Sequence, residues 1–180
     1  MPDIAMHLLD IVFNSIRAKA KNIIIYIMES ELKDQIICRV EDDGCGMDSQ
    51  TVENVQSPFF TTRTTRNVGL GVPLFKEGAL QTGGTFRLES EVGKGTVIET
   101  TYVKSHLDCP AMGNLPETIA TLVQADATIE YHIDIVYDNH TFTFDTKEIK
   151  EILDGVPIDE PDIILWLKEY IKEGISRWNH

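Results

Sequence analysis

Three short stretches bring together residue types that could handle a phosphorylated ligand. Asp42-Asp43-Gly44-Cys45-Gly46 closes a β-branched run with a carboxylate and follows it with two glycines, which let a backbone bend closely around a bound molecule. Gly69-Leu70-Gly71, just ahead of Pro73 and a helical stretch, offers free amides at the positive end of a helix, where phosphate oxygens are readily received. Between them, Thr61-Thr-Arg-Thr-Thr-Arg66 is rich in hydroxyls and cations, as a flap over phosphates would be. Each also has an ordinary reading, as a turn, a helix start and an exposed loop.

The elements that must position these stretches are legible from periodicity. DIVFNSIRAKAKNI, residues 10–23, reads as an amphipathic helix with Ile11, Val12, Ser15, Ile16 and Ala18 available to a core. His7, Asp10, Asn14, Arg17 and Lys21 fall on one polar stripe, which is either a solvated face or a site. Residues 22–28 and 35–40 are β-branched runs across a polar turn and read as a hairpin. Residues 48–56 have a helical look, and a helix from Pro73 to Gln81 is stopped by Gly83-Gly84. Strands at 85–90 and 96–103 pair across EVGKG. The order predicts an α+β fold, a two-layer α/β sandwich with helices on one face of a mixed, mainly antiparallel sheet.

SHLDCPAMGNLP, with two prolines and a glycine, marks a boundary near residue 104. Beyond it, residues 105–180 read as a small αβ appendage: a helix at 115–125, strands at 128–137 and 141–145, and helices at 146–153 and 159–176. That region holds 5 Lys and Arg against 15 Asp and Glu, a net of −10 out of the chain's −13, while residues 1–104 are only at −3. The overall charge argues against a nucleic-acid binder, yet it leaves the first region able to take an anion. With no apolar run near the roughly 20 residues of a membrane span and no signal-peptide pattern, a cytoplasmic location without membrane contact is expected. Cys38, Cys45 and Cys109 indicate no disulfide framework. The His106-Leu-Asp-Cys109 group reads as a turn or buried group rather than a metal site, having no second pair.

Taken in order, Asp10-x-x-x-Asn14, Asp42-x-Gly44-x-Gly46, Pro58-Phe-Phe-Thr-Thr-Arg63, Gly69-Leu70-Gly71, Gly83-Gly84 and Gly93-Lys-Gly-Thr96 resemble the Bergerat-fold, or GHKL, ATP-binding domain. This superfamily includes gyrase, the Hsp90 chaperones, sensor histidine kinases and the MutL repair proteins, and the resemblance covers residues 4–104. The first helix is most similar to the MutL type, whereas the lid and the segments after it are most similar to a histidine kinase. The resemblance implies ATP and Mg²⁺ as ligands. Asp42 would accept a hydrogen bond from the adenine amino group, and Thr96 would support that end of the base. Gly44 and Gly46 would pass close to the base. Asn14 would offer its side-chain oxygen to the metal. Arg17 and Arg63 are candidate phosphate cations, with Thr61 beside Arg63 in the lid, and Gly69, Leu70 and Gly71 would cradle the phosphates.

Two departures qualify the likeness. Asn67-Val68 stands where kinase-type lids carry a further glycine, so the lid is expected to close differently. The chain also begins almost at the first motif, so no two-helix region presenting a phosphoacceptor histidine is expected, and a complete sensor kinase is not. Position 10 decides between activities. Hydrolytic members carry Glu there as general base and histidine kinases usually Asn, whereas Asp10 keeps the base chemistry one methylene shorter. A slow ATPase acting as a nucleotide-dependent switch on a protein partner is the first expectation. A stand-alone anti-sigma-type serine kinase and a nucleotide-sensing binding module without turnover are the others. The tail, through SHLDCPAMGNLPETIATL, resembles small stand-alone ATP-binding proteins of anaerobic bacteria. It reads either as a partner-docking or homodimer surface or as an extension covering a sheet edge.

Overall fold

Helix α1 (Ile4–Arg17) begins six residues before the stretch that the periodicity marks, because the Asp3 side chain accepts the amide of Met6 and caps it. It also ends earlier than residue 23. Lys19 turns left-handed at φ 63, its amide bonds to the Ile16 carbonyl, and the Ala20 amide reaches back to Ser15, a Schellman closure made without glycine. The computed structural model in which these elements are seen describes residues 2–59 and 71–176.

Strands β1 (Asn22–Ser30) and β2 (Gln35–Asp42) form the expected hairpin, and α2 (Ser49–Val55) comes next, capped by Asp48. Helix α3 (Gly71–Gln81) leads to β3 (Phe86–Glu91) and β4 (Gly95–Val103), after which come α4 (Leu115–Ala125), β5 (Glu130–Tyr137), β6 (His140–Asp145), α5 (Thr146–Leu153) and α6 (Pro161–Ser176). The six strands form one sheet in the order β3-β4-β2-β1-β5-β6. All neighbours are antiparallel except β1 and β5, which run parallel with Ile25 opposite Ile133.

Strand alternation sets the inner face of the sheet. Ile23, Ile25 and Ile27 of β1, Ile36, Cys38 and Val40 of β2, and Tyr131, Ile133 and Ile135 of β5 are buried, while the intervening Ile24 is 45% exposed. Their core partners on the helices include Leu8, Ile11 and Val12 of α1, Phe75 and Ala79 of α3, Ile119 and Leu122 of α4, and Leu167 and Ile171 of α6. The fold is therefore the expected α+β, with helices layered on a mixed sheet.

The region after residue 104 is continuous with the first region. β5 takes the edge of β1, its inward side chains enter the same core, and the carbonyls of Ala111 and Met112 accept the first free amides of α1, from Ile4 and Ala5 at 2.9 Å each. The strand pairing shows this region covering the β1 edge. The amide of Asp108 donates to His106 Nδ1 within a turn, and no group of three or more His, Cys, Asp or Glu that could hold a metal occurs among the described residues. Among them, no helix is long and apolar enough to cross a membrane.

Candidate nucleotide site

Asp42 is the last residue of β2, and the register Asp42↔Thr96↔Ser90 places it in a lateral row across β2, β4 and β3, on the face that the helices cover. α1 lies over that row. The Ser15 hydroxyl donates to Asp42 Oδ2 at 2.6 Å, and the Gly44 amide donates to Oδ1 at 2.9 Å, so the carboxylate is held by one donor on each oxygen. Ser15 is only 3% exposed, and this bond explains a hydroxyl on the buried side of the helix. In sequence Ser15 reads as a small core residue; a serine among Ile11, Val12 and Ile16 is the one signal that it has a polar partner.

The glycines after Asp42 are required by close backbone approach. A Cβ on Gly44 would stand 2.8 Å from the Cβ of Ala18, and one on Gly46, at φ +70, would stand 2.0 Å from the Glu91 carbonyl oxygen. Gly95, at φ +124, lies against the backbone of Asp42 in the same way, at 1.9 Å. The amide of Gly93 donates to the Cys45 carbonyl, and that of Cys45 to Ala18, so the two glycine turns and the end of α1 are stitched together. Ser90, which the motifs do not single out, joins this seam: its Oγ accepts the Met47 amide and bonds to the Gly95 carbonyl and the Thr96 hydroxyl. An open cleft of about 250 Å³ borders the row, lined in part by Asp42, Ser90, Gly95 and Thr96. Wider grooves of about 620 and 600 Å³, one between α4, α6 and the sheet and one beside α3, touch none of these residues.

Asp43 has a different job. It accepts the amides of Lys21 and Asn22 and the Asn22 side chain, tying the end of β2 to the start of β1. Burial pushes its carboxyl up, but those hydrogen bonds outweigh it and hold the group below the usual carboxylate range.

One helical turn and more from Ser15, Asp10 faces the beginning of α3, where a Cβ on Gly71 would stand 3.3 Å from the Asp10 Cβ. Asn14 and Arg17 continue Asp10's stripe at i+4 and i+7, and the Arg17 guanidinium donates to Asn14 Oδ1 at 2.9 Å. His7 does not belong to that exposed stripe. It is 8% exposed and packs on Phe75 of α3 with ring centroids 5.9 Å apart, because α1 and α3 approach each other at this point. Burial lowers its pKa, against an opposing pull from Asp10 and Asp3. Lys21 lies beyond the helix end and so leaves the stripe as well. Thr61, Arg63, Gly69 and Leu70 lie outside the described residues.

The helix crossing the row that carries Asp42 and the two glycine turns locked under its end fall within residues 3–106, more than half of the chain, which a family model matches. That model describes the histidine kinase-, DNA gyrase B- and HSP90-like ATPases. The chain belongs to this family. As an ATPase-family domain, it is similar to a putative sensor protein of Shewanella frigidimarina, 36% identical over 73 residues, or 40% of this chain and 11% of that protein. It is also similar to sporulation kinase C of Bacillus subtilis, 29% identical over 51% of this chain and 21% of the kinase. The chain thus spans about a fifth or less of these relatives' length. In fold it is similar to the Aquifex aeolicus MutL ATPase domain complexed with ADP, with a TM-score of 0.50 at 15% identity over 86% of this chain and 69% of that one. The N-terminal domain of a DNA repair protein superposes with a TM-score of 0.55 at 15% identity, over 79% of this chain and 52% of that domain.

Proposed function

We propose that this family member binds Mg-ATP with its base against Asp42 and its phosphates between α1 and the start of α3, hydrolyses it slowly, and uses the nucleotide state to switch a protein partner in the cytoplasm. The observation that carries the reading is the division of α1. Ser15 anchors Asp42 toward one end of the site helix, while Asp10, about 7.5 Å away along the axis, faces the opening residue of α3. A carboxylate and the amide-rich start of a helix then share the phosphate end.

In this reading Asp42 accepts the adenine amino group, Thr96 supports the base edge, and Gly44 and Gly46 let the backbone close on it. Asn14 presents its side-chain oxygen to Mg²⁺, which requires Arg17 to release that oxygen and turn to the phosphates. A Mg²⁺ held there would supply positive charge against the phosphates. Asp10 takes the proton of the attacking water as it adds to the terminal phosphorus; the bond from that phosphorus to the bridging oxygen breaks, and ADP leaves. Gly69, Leu70, Gly71, Thr61 and Arg63 complete the phosphate end. The acidic region from residue 105, where α6 exposes Leu165, Trp166 and Tyr170, supplies surface for the partner.

The test is phosphate release from Mg-ATP. Asp10→Asn is expected to lower the rate by about 100-fold or more, since loss of a general base removes its proton-transfer contribution, while ATP affinity stays within a few fold. Turnover that survives the change would remove Asp10 as the base.

A further inference from the structure

The proton count around Ser90 has a consequence for base recognition. A serine hydroxyl has one hydrogen to donate and two lone pairs to accept with. The Met47 amide can only donate, and it uses one lone pair at 2.8 Å. The Gly95 carbonyl can only accept, and it takes the hydrogen at 2.9 Å. The third contact, to Thr96 Oγ1 at 2.8 Å, is then a hydrogen bond only if Thr96 is the donor. Thr96 therefore directs its proton at Ser90 and presents lone pairs to whatever lies beside it.

The neighbouring carboxylate has the same polarity. Asp42 receives a hydrogen on each oxygen, from Ser15 and from the Gly44 amide, and has none of its own to give when ionised. Asp42 and Thr96, directly opposite each other on β2 and β4, form a wall that accepts and does not donate.

We propose that Ser90 is a positioning residue that sets the base selectivity of this site: by holding the Thr96 proton it keeps the wall acceptor-only, so the pocket takes a purine bearing an amino group at the wall and refuses one bearing an oxo group there. The inference rests on the nucleotide reading above, with the base edge against Asp42. The effect assigned to Ser90 passes through the orientation of one hydroxyl, that of Thr96. Without it, the Thr96 O–H turns toward the ligand and offers an oxo oxygen the hydrogen bond that the native wall withholds.

Calorimetric titration of the full chain with Mg-ATP and Mg-inosine triphosphate, which differ in the amino or oxo group at that position and in the hydrogen that inosine carries on the adjacent ring nitrogen, tests this. Wild type should prefer ATP by well over tenfold. Ser90→Ala should reduce the ratio of ATP to inosine triphosphate affinity by about tenfold, roughly one hydrogen bond, chiefly by tighter inosine triphosphate binding. The double variant Ser90→Ala, Thr96→Val should lose that gain, because no hydroxyl is left to turn. A merely structural Ser90 would weaken both nucleotides alike, and an unchanged ratio in Ser90→Ala would overturn the proposal while leaving the nucleotide reading standing. Failure of wild type to bind ATP would overturn both. Ser90→Cys, with the same shape and a weak S–H, reads the same ratio should Ser90→Ala not fold.

Discussion

Asp42 keeps its orientation because Ser15 and Gly44 hold one oxygen each, and a carboxylate fixed in this way can accept from a ligand without reorganising. Asp42→Asn replaces one of those acceptors with an N–H₂ group facing a donor. The variant is expected to weaken ATP binding by about 1–3 kcal/mol, the usual cost of an unmatched buried polar group. Thermal stabilisation of the protein by ATP measures this, and an unchanged shift would place the base elsewhere. Motif spacing marks Asp10, Asn14, Asp42, Gly44, Gly46 and Thr96 as a candidate group, and of these the structure places Asp42 directly opposite Thr96. Ser15 and Ser90 were not legible, because a serine in a buried position carries no mark of which distant strand or turn its hydroxyl meets.

At the scale of elements, α1 is delimited by two devices that the apolar periodicity does not show. Its start depends on a side-chain cap from Asp3, three residues ahead of the bond it makes, and its end on a non-glycine residue in the left-handed region. A left-handed lysine is strained by its Cβ, which is why glycine is the usual signal for such a stop. Lys19→Gly is therefore expected to raise stability by about 0.5–1 kcal/mol after the entropy of the unfolded glycine is counted. Denaturant midpoints compare the two proteins, and a loss of stability would mean that the lysine side chain does more than tolerate the turn. The later elements were read closely: α4 and α5 occupy 115–125 and 146–153 as expected, because caps at Asn114 and Asp145 coincide with the start of apolar periodicity.

For the whole molecule, the decisive feature is the parallel pairing of β1 with β5, which threads the acidic half of the chain into the sheet that carries the candidate site. The same half supplies the carbonyls that receive the opening amides of α1. Removing residues 105–180 would uncover Ile23, Ile25 and Ile27 along an open strand edge and take Leu115, Ile119, Leu122, Tyr131, Ile133 and Ile135 out of the core. At roughly 1.5–3 kcal/mol for each large apolar side chain, exposing the three isoleucines alone costs an amount comparable to the roughly 5–15 kcal/mol of a typical domain. Residues 1–104 alone are expected to aggregate or remain unfolded, as circular dichroism and sedimentation would show; a folded monomer would disprove the dependence. By itself the sequence determined the strands, most helices and the glycine turns, since period, caps and backbone freedom are local properties. Only the tertiary structure decided that β5 lies beside β1, that His7 is buried, and that Ser15 and Ser90 converge on Asp42 and Thr96. Those pairings join residues distant along the chain, and they arise from how the layers close on one another, which no local pattern encodes.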